Sequence, residues 1–219
     1  MTSRRRGLCV VVCALLAGGC GTAAPDHPPR VLAVTVRTGG LVPQTATGVA
    51  TGGDRVLTVA HVLTGGHAVA VGGRPARIVR LDRRLDLAVL AVPGLRAARV
   101  RLGGGEARRV GIVVLRDRVA RTLAGRIRRR VIVHWREQPA DPPRDRPGLE
   151  LAASVEPGDS GGPVVDRDGR LLGVLYARSS DADDTAWAVD AAAVRVVLAR
   201  SSPGARVVAR ARGSRRKER

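Results

Sequence analysis

Phenylalanine is absent from this chain of 219 residues, tyrosine and methionine occur once each, and tryptophan occurs twice. With the bulky rings missing, Val, Leu and Ala must fill the interior, and β-branched valine favours strands. The shortage of rings also removes the stacking platforms that single-stranded nucleic acids need, so no nucleic-acid partner is expected. Cysteine is confined to Cys9, Cys13 and Cys20. The body of the chain therefore has no disulfide framework and no cysteine-based metal site, and neither a metal nor a cofactor is expected. Lysine is nearly missing as well. Lys217 is the single lysine among 38 basic residues, which stand against 19 acidic ones for a formal net charge of +19. An arginine skew beside abundant Ala, Gly and Val fits a GC-rich genome, and the basic surface still attracts anionic partners.

The first residues read as an export signal. "MTSRRRG" is a basic start, and "LCVVVCALLA" is an apolar run too short to span a bilayer comfortably. "LLAGGC" then ends on Cys20 and resembles the lipobox of bacterial lipoproteins, which implies a signal over 1–19 and a lipid on Cys20. The alternative is an ordinary cleaved signal and a secreted protein. Residues 20–30 form a Pro-rich tether. The expected location is the outer face of the cell membrane.

From residue 31 short apolar runs recur between Gly, Pro, Asp and Thr: "VLAVTVR", "GVAT", "RVLTVA", "AVAVGG", "ARIVRL" and "LAVLAV". After "GGGE" they resume with "RRVGIVVL", "RTLAGRIR", "RVIVHW", "LELAAS", "GPVVD", "RLLGVLYA" and "AWAVD". Many short strands at this spacing predict an all-β protein. The glycine break divides them into two barrels, one over about 31–103 and one over about 104–200. One helix is expected at the end, "AAAVRVVLAR" capped by Asp190, with Val194, Val197 and Leu198 on one face. Residues 201–219 read as a basic, disordered tail.

The stretch "EPGDSGGPVV" satisfies G-x-S-x-G, a pattern that can place a nucleophilic serine, here Ser160, on a sharp turn. A serine hydroxyl needs a base within reach, and that base needs an orienting carboxylate. Of the four histidines, His27 lies in the tether, His67 leaves a loop, and His134 alternates with strand residues. His61 ends the run "RVLTVA", where a base can be held rigidly with its ring exposed. Asp86 opens the apolar run "LAVLAV", so its carboxylate needs a partner to offset desolvation. Asp82, in "LDRR", reads as a surface competitor. An α/β-hydrolase is excluded because no histidine follows Ser160. A subtilisin order would need Asp54 and an α/β pattern that is missing. The order His61, Asp86, Ser160 remains.

"RVLTVAHVL", "LDLAVLAV" and "EPGDSGGPVVDRDGRLLGVLYA" resemble the three signature segments of chymotrypsin-fold serine peptidases, over residues 31–200. "AHVL" and "DLAVL" point to the bacterial HtrA-like branch, and the chain is also similar to the catalytic domain of actinobacterial membrane-anchored acid-resistance serine proteases. The resemblance implies two six-stranded antiparallel barrels and a serine endopeptidase acting on proteins or peptides through an acyl-enzyme. In it Ser160 attacks, His61 moves the proton and Asp86 orients His61. The N–H groups of Gly158 and Ser160 would form an oxyanion hole, worth roughly 3–4 kcal/mol. Asp159 would hold the loop from within, and Gly161 and Gly162 would keep its floor clear. By the same resemblance Ser154 would lie at the base of the specificity pocket, with Leu175, Tyr176, Ala177 and Arg178 along one wall and Ala186 and Ala188 along the other. No acidic residue sits at the base, so a small or medium apolar side chain is the expected preference. Arg178 stands where many relatives have glycine, which would narrow the pocket or hinder substrate pairing.

The chain departs from its relatives in lacking an activation-cleavage motif, a disulfide and a PDZ-sized segment after residue 200, and a monomer is expected. The alternative function is a latent or catalytically silent binding protein at the cell envelope, on the same fold. Residues 203–219 carry seven basic side chains and one acidic one, suited to anionic lipid or cell-wall polymer. Each basic side chain near a membrane adds roughly 1 kcal/mol. Deleting 203–219 is expected to weaken sedimentation with anionic vesicles at low salt; unchanged binding would exclude the tail as a contact.

Overall fold

The computed structural model describes residues 25–104, 107–135 and 144–201. The proposed signal, Cys20 and the tail from 202 onwards lie outside these residues. Two closed antiparallel barrels of six strands each make up the fold, with one short helix at the end.

The first barrel contains β1 (Val31–Arg37), β2 (Gln44–Gly52), β3 (Arg55–Val59), β4 (Ala68–Val71), β5 (Arg74–Asp82) and β6 (Leu87–Ala91). They follow the order β1-β2-β3-β6-β5-β4, and β1 closes the ring on β4. A 3₁₀ turn, His61–Leu63, follows β3. The second barrel contains β7 (Arg109–Arg116), β8 (Val119–Trp135), β9 (Arg144–Ala152), β10 (Pro163–Val165), β11 (Leu171–Arg178) and β12 (Thr185–Asp190). Their order is β10-β11-β12-β9-β8-β7, closed by β7 on β10.

Aliphatic packing makes both barrels possible. The largest fully buried side chains are leucines and one isoleucine, among them Leu57, Leu87, Leu90, Ile112, Leu149 and Leu171. One cluster runs from Val34, Leu57 and Leu90 of the first barrel to Val113, Leu171 and Val189 of the second. It also takes in Val194 and Val197 of the helix α1 (Ala191–Ala199). The barrels therefore share a continuous core, and α1 is held against both. Asp190 caps α1, its carboxylate accepting from the Ala192 N–H at 2.7 Å, which satisfies one orphan donor of the first turn.

Two readings of the sequence differ from the structure. "RTLAGRIR" and "RVIVHW" are one 17-residue strand, β8, bent by a bulge between Ile127 and Arg129. Its arginines did not break the strand because they leave the sheet and pair outwards, Arg128 with Asp184, Arg129 with Glu150 and Arg130 with Asp190. Residues 25–30 were grouped with the tether. Pro25 is nevertheless buried, and the Asp26 N–H donates to the Arg167 carbonyl at 3.1 Å.

Candidate active site

Three segments meet at the junction of the barrels. His61 sits where β3 turns, its side chain about half exposed (49%), and Asp86 sits at the mouth of β6, 9% exposed. The chain enters β6 through a tight turn in which the Leu85 N–H donates to the Asp82 carboxylate at 3.0 Å. Asp82 therefore builds the turn that presents Asp86. Asp86 itself has a φ of +55°, a left-handed conformation that Asp tolerates better than most residues. This aims the carboxylate back at the 3₁₀ turn. One oxygen accepts from the Ala60 and His61 N–H groups at 3.1 and 2.8 Å, and the other lies 2.8 Å from His61 Nδ1. An ionised carboxylate only accepts, so Nδ1 carries the proton and Nε2 keeps a lone pair to take another.

Ser160 lies on the loop between β9 and β10. Its Oγ donates to the Tyr176 carbonyl at 3.5 Å, and among the described residues no hydrogen bond joins it to the His61 ring. Such contacts are commonly loose before substrate binds. The Gly158 and Ser160 N–H groups donate to no protein acceptor among the described residues. Gly158 has a φ of +97°, open to glycine and strained for other residues. Gly161 is also left-handed, and a Cβ there would lie 1.9 Å from the Thr47 carbonyl oxygen.

Two residues outside the expected set hold this loop. Thr47, on β2, donates its N–H to the Ser160 carbonyl at 2.8 Å and its hydroxyl to the Gly158 carbonyl at 3.2 Å. The same hydroxyl accepts from the Leu115 N–H at 3.2 Å, so one threonine ties both barrels to the serine loop. Arg116, at the end of β7, holds Asp159 with two parallel bonds, Nε to Oδ1 at 3.1 Å and Nη2 to Oδ2 at 2.7 Å. Asp159 is 1% exposed, and its Oδ2 also accepts from the Glu156 N–H at 2.8 Å. The hydrogen bond to Asp159 pushes Arg116 above the ordinary guanidinium value, against the cost of burial. The loop thus has an internal cation as its counter-charge. Nothing in "LRDR" distinguished Arg116 from a surface arginine.

The residues expected to line the specificity pocket differ in their exposure. Leu175, Ala186 and Ala188 are at most 1% exposed and belong to the core of the second barrel. This corrects their reading as pocket walls, because their positions along β11 and β12 face inwards. Ser154 and Arg178 are exposed, and Tyr176 and Ala177 are half-buried. His134 is exposed and pairs with Asp145, and His67 is exposed. Among the described residues no cluster of His, Cys, Asp or Glu could hold a metal ion.

A double antiparallel barrel with a histidine, a buried aspartate and a glycine-flanked serine at its seam defines the chymotrypsin-like class. Residues 46–174 match the trypsin-like peptidase domain, and the chain belongs to that family. The serine protease Rv3671c of Mycobacterium tuberculosis is 33% identical over 156 residues, which span 67% of this chain and 39% of that protein. The chain thus covers well under half the length of this relative. The crystal structure of the active form of Rv3671c protease superposes with a TM-score of 0.70 at 29% identity, over 78% of this chain and 80% of that one. The HtrA-type protease AlgW with a tripeptide shares the fold, with a TM-score of 0.64 at 22% identity over 78% and 60% of the two chains.

Arg116→Met strands the Asp159 carboxylate in the interior. It is expected to cost roughly 3 kcal/mol in a denaturant titration. Adding Asp159→Asn should recover most of that loss; no recovery would mean that the pair does not anchor the loop.

Proposed function

We propose that the chain is a serine endopeptidase that cleaves proteins or peptides through an acyl-enzyme. The observation that carries this reading is the His61–Asp86 contact at 2.8 Å, with Ser160 on a loop that Thr47 of the first barrel braces. In the proposed mechanism Ser160 Oγ attacks the scissile carbonyl while His61 Nε2 takes its proton. Asp86 stabilises the imidazolium, and the Gly158 and Ser160 N–H groups receive the oxyanion. His61 then protonates the leaving amine, and water repeats the sequence on the ester. The relatives' character as serine proteases supports the same reading.

The exposed pocket residues carry no acidic group, which supports preference for a small or medium apolar side chain. Arg178 ends β11 at the rim and would restrict the residues that flank it. The N-terminal pattern and Cys20 support export and lipid anchoring on the outer face of the cell membrane. A basic tail on a protein so anchored suits anionic lipid or cell-wall polymer. A second reading, a latent protease, is favoured by one observation: the Ser160 hydroxyl bonds to the Tyr176 carbonyl.

Fluorophosphonate labelling of the full-length protein in mild detergent, across a pH series, separates the two. Labelling that disappears in Ser160→Ala is the expected outcome. A folded protein that never labels would favour the latent reading.

A further inference from the structure

The side chain of Arg146, on β9, is 7% exposed, and its Nη1 stands 3.9 Å from Asp86 Oδ2, the oxygen that faces His61. Its guanidinium carbon lies 4.8 Å from the Trp135 ring centre and 4.6 Å from that of Tyr176. Its Nε donates to the Arg84 carbonyl at 3.3 Å, and the Trp135 indole N–H donates to the same oxygen at 3.3 Å. A buried cation costs several kcal/mol unless it is paired, and only a planar guanidinium fits between two rings while pointing its edge at a carboxylate. The second barrel therefore delivers a desolvated positive charge to the turn that carries Asp86.

We infer that Arg146 is a positioning residue for the His61–Asp86 pair, its positive charge competing with a His61 imidazolium for the Asp86 carboxylate. This role rests on the protease reading for its consequence and on geometry alone for its existence. Among the described residues, the groups facing Asp86 are the His61 ring from the 3₁₀ turn, Arg146 from β9 and the Tyr176 phenol from β11. Arg83 and Arg84 flank it on the turn with exposed side chains. Arg144 stacks on the far partner, Trp135, at 5.6 Å, and the His134–Asp145 pair lies outside on the hairpin. Burial pushes the Tyr176 phenol up, so it stays neutral around pH 7 and adds no charge.

The alternative is a clamp, in which Arg146 merely pins the β8–β9 hairpin to the first barrel. Arg146→Lys and Arg146→Met separate the two roles, since both lose the stacked plane and only lysine keeps the charge. The His61 ring would be titrated by NMR in full-length protein carrying Ser160→Ala, its resonance assigned by loss in His61→Gln. In Arg146→Met the midpoint is expected to move up by about 0.5 to 1 in pH, with lysine near the parent. The acid limb of fluorophosphonate labelling should follow in the Ser160 protein. A folded methionine variant with an unmoved midpoint would overturn the inference, as would lysine and methionine moving together.

If neither variant folds, Asp86→Asn reads the same charge with Arg146 intact. The His61 midpoint should then fall below those of exposed His27 and His67; a midpoint equal to theirs would overturn the inference. Failure of the protease reading is distinguishable, because it removes labelling and leaves the His61 titration to decide on Arg146.

Discussion

The contacts that hold His61 at the barrel seam converge on the Asp86 carboxylate. It is nearly buried, so its charge must be satisfied from several directions at once. Two backbone N–H groups and His61 Nδ1 hydrogen-bond to it, and the Arg146 guanidinium stands at ion-pair distance. The first three donors come from the segment that ends β3, and the guanidinium comes from the other barrel. The carboxylate thus fixes the histidine tautomer, closes the turn and joins the two halves through one charge. Its left-handed backbone is tolerable because the Asp82–Asp86 turn and these donors all select the same geometry.

A second charged anchor repeats this logic one loop away. Asp159 is buried behind the serine and is held by Arg116 in a two-bond contact that a lysine could not reproduce. Thr47 adds a neutral anchor by using its N–H and its hydroxyl on two carbonyls of the serine loop. The loop is therefore braced from β2 and β7 together. Its Gly158 and Ser160 N–H groups donate to no acceptor among the described residues, which leaves them open to the oxyanion role proposed for them.

The parts legible in the sequence were the local ones. "AHVL", "DLAVL" and "GDSGGP" each mark a candidate residue within a short segment, and the absence of a histidine after Ser160 excluded the α/β-hydrolase fold. The Asp190 cap and the strand-rich, ring-poor core were legible because propensity and burial agree there. Thr47, Arg116 and Arg146 were not. Each is an ordinary residue until barrel closure brings it to a distant partner, and two of them are lost among 38 basic residues. The pocket walls were misread for a related reason. A strand alternates its faces, and the inward positions Leu175, Ala186 and Ala188 can be told from outward ones only once the register is known.

Asp86→Asn tests the central role of this carboxylate most directly, because it keeps the shape and removes the charge that sets the histidine tautomer. The measurement is the rate of Ser160 labelling by fluorophosphonate at neutral pH, with thermal unfolding as the control for folding. The account predicts a fall of about four orders of magnitude in protein that still unfolds cooperatively. A folded asparagine variant that labels within about tenfold of the parent would contradict it.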